Sequence, residues 1–379
     1  MKKLVKVASA ALAASMVLST AAFAEGETFK IGGIGPLSGG AAVYGQAVMN
    51  AIQIAVDEIN EAGGINGYQV EFNPQDDEHD TEKAVNAYNT LKDWGMQMLL
   101  GTVTSKPCAA VVAETSADNL FQLTPSGSAV ESIAGENAFR VCFSDPNQGA
   151  ASAQYIGEHG LAEKVAVIYN SQDVYSSGIY NTFAAEAQNQ PFEVVAAEAF
   201  TEDSKTDFTV QLQKAKDAGA DMVFLPIYYS EAALILTQAN SMGFAPTFFG
   251  CDGLDGLLAV DDFDTALAEG VMLLTPFVAD AEDEATQAFV SKYQEAYTDV
   301  PNQFAADAYD GMYIIKAAAE QAGITPDMSV SDICEAMKVA MTEITYDGLT
   351  GEGTTWGADG EPNKAPKAMV IKDGAYTAM

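Results

Sequence analysis

The chain has one arginine, Arg140, and two histidines, His79 and His159, in 379 residues. Sites for phosphate or a dicarboxylate are normally built on forked arginine contacts, so a strongly anionic ligand is not expected. Two histidines are too few for a metal centre built on imidazoles. The four cysteines, Cys108, Cys142, Cys251 and Cys334, fit no close-spaced zinc pattern. They allow three full disulfide pairings, among which their spacing does not choose. Catalytic signatures are also missing: there is no G-x-S-x-G elbow, no G-x-x-x-x-G-K-[ST] loop and no H-E-x-x-H. Gly32-Gly33-Ile34-Gly35 follows a strand-like run, but Ser38 stands where a dinucleotide loop needs its last glycine. A hydrolase is the weakest class, because no nucleophile–base pair is evident. The expectation is a protein with no catalytic residue, no cofactor and no metal.

Long apolar runs are scarce too. The one at Val7–Thr20 follows Lys2, Lys3 and Lys6 and precedes Ala22-Phe23-Ala24, the small-x-small pattern of a cleaved export signal. It is shorter than the roughly 20 residues of a membrane span. No cysteine follows it to carry a lipid anchor. Cleavage after Ala24 leaves 355 residues beginning at Glu25, and loss of three lysines takes the net charge from −35 to −38. The mature protein is therefore expected outside the cytoplasm, as a soluble, two-domain chain. Such acidity argues against nucleic acid or anionic lipid as a partner.

What is present is an alternation of strand and helix. Strands are predicted at 29–34, 68–72, 96–100 and 120–124, with helices at 45–61, 82–94 and 106–118. That order calls for a parallel sheet covered on both faces. The pattern restarts after Asp145-Pro146, with strands at 165–169, 193–197, 222–227 and 247–250 and helices between them. Helices at 284–297, 304–322 and 331–341 then follow without strands between them, so they are expected to return to the first unit. The last strand is placed at 368–372. The acidic run Asp76-Asp77-Glu78-His79-Asp80 reads as a solvated loop leading into a helix, with a calcium site as the rarer alternative.

In open α/β sheets ligands sit beyond the carboxyl ends of the strands. There the sequence places Thr104-Ser105, Ser126-Gly127-Ser128, Tyr175, Tyr228-Tyr229 and Cys251-Asp252-Gly253. Hydroxyls and helix amides can hold a carboxylate without a cationic side chain, and a lone acid can pair with an ammonium. Each residue alone could be an ordinary cap or turn. Together they describe a pocket for a zwitterion.

Six stretches make the chain resemble the leucine/isoleucine/valine-binding family of type I periplasmic binding proteins. They are Ile34-Gly35-Pro36-Leu37-Ser38-Gly39 with Tyr44-Gly45, Asn60 to Gly67, Thr124 to Ser128, Phe139-Arg140 with Asp145 and Gln148-Gly149, Tyr228-Tyr229, and Ala308-Tyr309-Asp310. The resemblance implies an α/β fold of two Rossmann-like lobes with parallel sheets joined by a multi-strand hinge. Residues 28–144 with 277–365 would form one lobe, and 145–276 with 366–379 the other. By position, Ser105 and Ser128 would bind an amino acid's carboxylate, and the Ser126 carbonyl and Asp252 its amine. Tyr44, Tyr175, Tyr228 and Phe304 would line the pocket. Asp252 stands where relatives often have Glu. The disulfide of some relatives has no counterpart here, with His79 near one of its positions and Thr104 at the other.

The implied function is that of the receptor of an ABC importer, a monomer that closes on an L-amino acid, most simply branched-chain, and docks on membrane permease subunits. The alternatives are a receptor for a short amide or urea, and a ligand-sensing module of a signalling system.

Overall fold

The computed structural model describes residues 27–379; the expected export signal lies outside them. The first sheet holds β1 (Thr28–Gly35), β2 (Gln69–Asp76), β3 (Met98–Leu100), β4 (Phe121–Thr124) and β5 (Ala138–Arg140). All its pairings are parallel, in the order β2-β1-β3-β4-β5. The second sheet holds β6 (Lys164–Asn170), β7 (Glu193–Phe200), β8 (Met222–Leu225), β9 (Thr247–Gly250) and β10 (Met272–Thr275). These follow the same order, β7-β6-β8-β9-β10, and are extended antiparallel by two late strands described below. Each unit thus reverses strand order once, between its first and third strands, which opens a crevice at the carboxyl ends.

Burial explains which strands are central. Every residue of β3, β4, β8 and β10 is buried, as expected of parallel strands covered on both faces. Strands β2 and β7 lie at edges and mix exposed with buried positions. Only an edge strand tolerates Pro74, which has no amide proton to donate.

Helices α1 (Ala42–Glu61), α2 (Thr81–Trp94) and α3 (Ser105–Asp118) flank the first sheet; α4 (Asp145–Glu158), α5 (Val174–Ala187), α6 (Thr209–Asp217) and α7 (Tyr229–Ser241) flank the second. Then α8 (Glu284–Tyr297), α9 (Gln303–Ala322) and α10 (Val330–Met341) pack back on the first unit: α8 and α9 against α1, and α10 against α9 and β4. Helix α1 turns Val48, Ile52, Ala55, Val56 and Ile59 inward, the 3.6-residue spacing seen in the sequence. Asn66 ties the loop after it to α9, donating 3.0 Å bonds to the carbonyls of Ala319 and Ile324. A hairpin of β11 (Tyr346–Gly348) and β12 (Gly351–Thr354) precedes β13 (Lys367–Lys372) and β14 (Ala375–Ala378), which close the second sheet. The chain therefore crosses between units after β5, after β10 and after β12.

Three sequence expectations change. Strand β5, the hairpin and β14 were not foreseen: β5 is three residues long, and β14 has no fully buried position to mark it. The acidic run is only partly solvated. Asp77 is fully buried, and burial pushes its carboxyl up to about 7. Asp76 clamps the loop after β1, accepting from the Leu37 amide at 2.8 Å and the Ser38 hydroxyl at 2.7 Å, while Asp80 caps α2 by accepting from the Lys83 amide. All four cysteines are free and buried.

Candidate functional site

The eight residues singled out from the sequence line one small cavity between the two units. Ser105 opens α3 after β3, and Ser126 and Ser128 lie in the loop after β4. Tyr175 sits in the first turn of α5 after β6, and Tyr228 and Asp252 follow β8 and β9. Tyr44 on α1 and Phe304 on α9 close the sides.

The serines do not cap helices through their side chains. Ser105 is the first residue of α3, after an N-cap Thr104 that makes no capping bond. Its hydroxyl accepts from the amides of Ser128 and Ala129, both at 3.2 Å, which fixes the second loop against the first. Ser126 donates to the Val103 carbonyl at 2.7 Å. The Ser128 hydroxyl is buried beside the Asp145 carboxylate and makes no well-aligned hydrogen bond among the described residues. Arg140, fully buried, braces these loops from behind by donating to the carbonyls of Gly127 (3.2 Å) and Ser128 and pairing with Glu361 at 3.0 Å. The only arginine is thus structural.

Opposite them Asp252 is 4% exposed. Its Oδ1 accepts from the Tyr175 hydroxyl at 2.7 Å, and burial still pushes the carboxyl up to about 7 against that bond. Its amide donates to Gln148 at 3.2 Å, and its carbonyl accepts from Gln303 at 3.1 Å, so the loop is gripped from α4 and α9. Gly253 is required there. A Cβ would meet the Tyr175 hydroxyl and the Ile227 carbonyl at 2.6 Å. Such an arrangement offers hydroxyls on one face and a buried acid on the other, the complement of a carboxylate and an ammonium on one carbon.

Rings complete the walls. Tyr228 stacks on Tyr175 at 4.8 Å, and Tyr44 lies 4.3 Å from Phe304 and 5.6 Å from Tyr228. The side chain of a ligand would meet mostly aromatic surface. Val103, Thr104 and Gly253 also line the cavity; Thr104 and Gly253 were among the strand-end residues marked in the sequence, whereas Val103 was not. Thr104 bonds His79 at 2.9 Å, and the His79 ring stands edge-on to Tyr228. Gln303 gave no signal, since nothing local marks a glutamine at a helix start.

Residues 28–375 match the family described as periplasmic binding protein. The chain belongs to that family. This periplasmic binding protein is 30% identical over 329 residues to Leu/Ile/Val-binding protein homolog 3 of Brucella melitensis, across 85% of this chain and 86% of the relative. Among solved structures it resembles the branched-chain amino acid transporter substrate binding protein LivJ from Streptococcus pneumoniae in complex with isoleucine. There the TM-score is 0.84 at 29% identity, covering 93% of this chain and 98% of that one. The leucine binding protein LivK from Thermotoga maritima follows with a TM-score of 0.82 at 26% identity, over 93% and 98%. The family is one of solute-binding proteins. Among the described residues of this periplasmic binding protein, no helix is long and apolar enough to cross a membrane, and no group of three or more His, Cys, Asp or Glu could hold a metal ion.

Proposed function

We propose that this protein is the extracytoplasmic receptor of an ABC importer and captures an L-amino acid with a branched aliphatic side chain, performing no chemistry on it. Ser105 and Ser128 receive the α-carboxylate, and the Ser126 carbonyl and Asp252 receive the α-ammonium. Tyr44, Tyr175, Tyr228 and Phe304 enclose the side chain. Residues 28–144 with 277–365 and residues 145–276 with 366–379 act as the two closing lobes. The closed monomer docks on permease subunits, and residues 1–24 direct export and are removed.

The observation that carries this reading is Asp252: a buried acid, opposite the cavity-lining serine hydroxyls, in a small aromatic-walled cavity. A neutral amide or urea would leave that acid without a counter-charge. Thermal unfolding with a panel of amino acids, acetamide and urea tests the proposal. Leucine, isoleucine or valine at about 100 times its dissociation constant should stabilise by about 2.7 kcal/mol. Stabilisation by urea or acetamide alone would replace the amino-acid reading with the amide one.

A further inference from the structure

Asp145 opens α4, where the chain first passes from one unit to the other. It is 1% exposed. Its amide donates to the Ser128 carbonyl at 2.9 Å; the Ser128 hydroxyl lies close enough to its carboxylate to favour the ionised form, but neither carboxylate oxygen makes a well-aligned hydrogen bond among the described residues. Two more buried polar atoms lack a well-aligned bond among the described residues: the Ser128 hydroxyl, which lines the cavity and lies beside the Asp145 carboxylate, and the Gln148 amide nitrogen one turn along α4, which lies beside the Asp252 carboxylate. Gln148 spends its other atom on the Asp252 backbone. Asp145 therefore belongs to a polar cluster that runs from Ser128 on the first unit to Asp252 on the second.

A buried carboxylate without a partner is costly when ionised. Acids face it from two elements, Asp252 after β9 and Asp173 at the start of α5, with Tyr228 and Cys251 nearby. The one cation acting on it, Arg140 on β5, is engaged by Glu361 and two carbonyls and makes no ion pair with it. Beyond its burial, Asp252 in turn feels the Tyr175 hydroxyl, the Gln148 side chain, the Gly253 amide and Asp307 of α9. Among the described residues no cation forms an ion pair with either acid. A ligand's ammonium would.

We propose that Asp145 is the second carboxylate of the ammonium site, compensating the charge of the ligand's α-amine together with Asp252. This rests on the amino-acid reading above. Burial holds both acids toward their protonated forms, Asp252 with a pKa of about 7 and Asp145 well above the usual carboxylate range. An ammonium between them lowers both, so the carboxyl protons pass to the buffer while the amine keeps its own. Amino-acid binding at neutral pH becomes a proton-releasing event.

Titration calorimetry of the wild type, Asp145→Asn and Asp252→Asn tests this, with leucine and with 2-hydroxy-4-methylpentanoate, which carries a hydroxyl in place of the ammonium. Runs from pH 5 to pH 8 in buffers of low and high ionisation enthalpy count the protons. Asp145→Asn should weaken leucine at least about tenfold, leave the hydroxy acid within about twofold and reduce proton release. Leucine affinity and proton release equal to wild type would overturn the proposal, as would equal loss for both ligands, which marks a merely structural residue. If the variant does not fold, the wild type decides. One acid can release at most one proton, so release above one proton per leucine needs both acids, and release that stays at or below one from pH 5 to pH 8 excludes the second acid. Wild type that binds no amino acid sinks the amino-acid reading itself; wild-type binding beside an unaffected Asp145→Asn sinks only this inference.

Discussion

Tyr44 on the first unit donates its phenol proton to the carbonyl of Gly253 on the second, at 2.6 Å, and the same oxygen accepts from the Tyr229 amide at 3.2 Å. One residue thus ties the units together beside Asp252 while its ring walls the cavity. Contacts of this kind form only when the units are apposed.

Tyr44→Phe keeps the ring and removes the bridge. A neutral hydrogen bond contributes about 0.5–1.5 kcal/mol net, so ligand affinity should fall about two- to tenfold. The loss should lie mainly in faster dissociation, measured by stopped-flow fluorescence. An unchanged dissociation rate would show that the bridge does not hold the closed form.

Asp252→Asn should hurt amino-acid binding most among single changes in the cavity. A charge-assisted bond is worth about 1.5–3 kcal/mol, so calorimetry should show at least a roughly tenfold loss. The fold should survive. Ionising Asp252 destabilises the folded protein as pH rises from its unfolded value toward about 7, so the ligand-free variant should melt no lower than wild type at pH 8.

Affinity should depend on pH in one direction. The free acid has a pKa of about 7, and an ammonium lowers it in the complex. Below the lowered value both states are protonated and the charge pairing is lost; above about 7 it is fully present. Binding should therefore strengthen from pH 5 through about pH 7, and above it for as long as Asp145 still releases a proton, until the ligand amine itself deprotonates. A flat profile would contradict the ammonium assignment.

Lys364 and Asp307 form a buried pair at 2.9 Å, with side chains 3% and 2% exposed, and Lys364 also donates to Thr350 at 2.5 Å. Lys364→Met strands Asp307, which should cost about 3–5 kcal/mol by urea unfolding at pH 7. The cost should shrink toward pH 4, where Asp307, already pushed up by burial, can protonate. Equal costs at both pH values would mean that the pair is not electrostatic in origin.

Solution scattering should show a smaller radius of gyration on adding leucine, because the proposed ligand groups are divided between two units. An identical profile at saturation would rule out hinged capture.

Much was legible in the sequence because it is local. Apolar runs bounded by glycine fixed the central strands within a residue or two, and helical spacing fixed α1 and α8. Ser105, Ser126, Ser128 and Asp252 stood out because strand ends in parallel sheets are where ligands bind. Strand β5 was invisible, since three residues carry no period and its pairing partner is set by the loop before it. The state of Asp145 was equally hidden: an Asp before Pro146 looks like any helix start.

By itself the sequence determined an exportable, acidic α/β chain in two units, with one arginine and hydroxyl and acidic residues at strand ends; composition and short-range periodicity carry that information. Only the tertiary structure decided that Ser128 and Asp252, 124 residues apart, face one cavity, that Arg140 braces loops, and that Asp77 and Asp145 lose their water. Burial and convergence depend on how distant segments pack, and no local pattern encodes the neighbours that a fold brings from far along the chain.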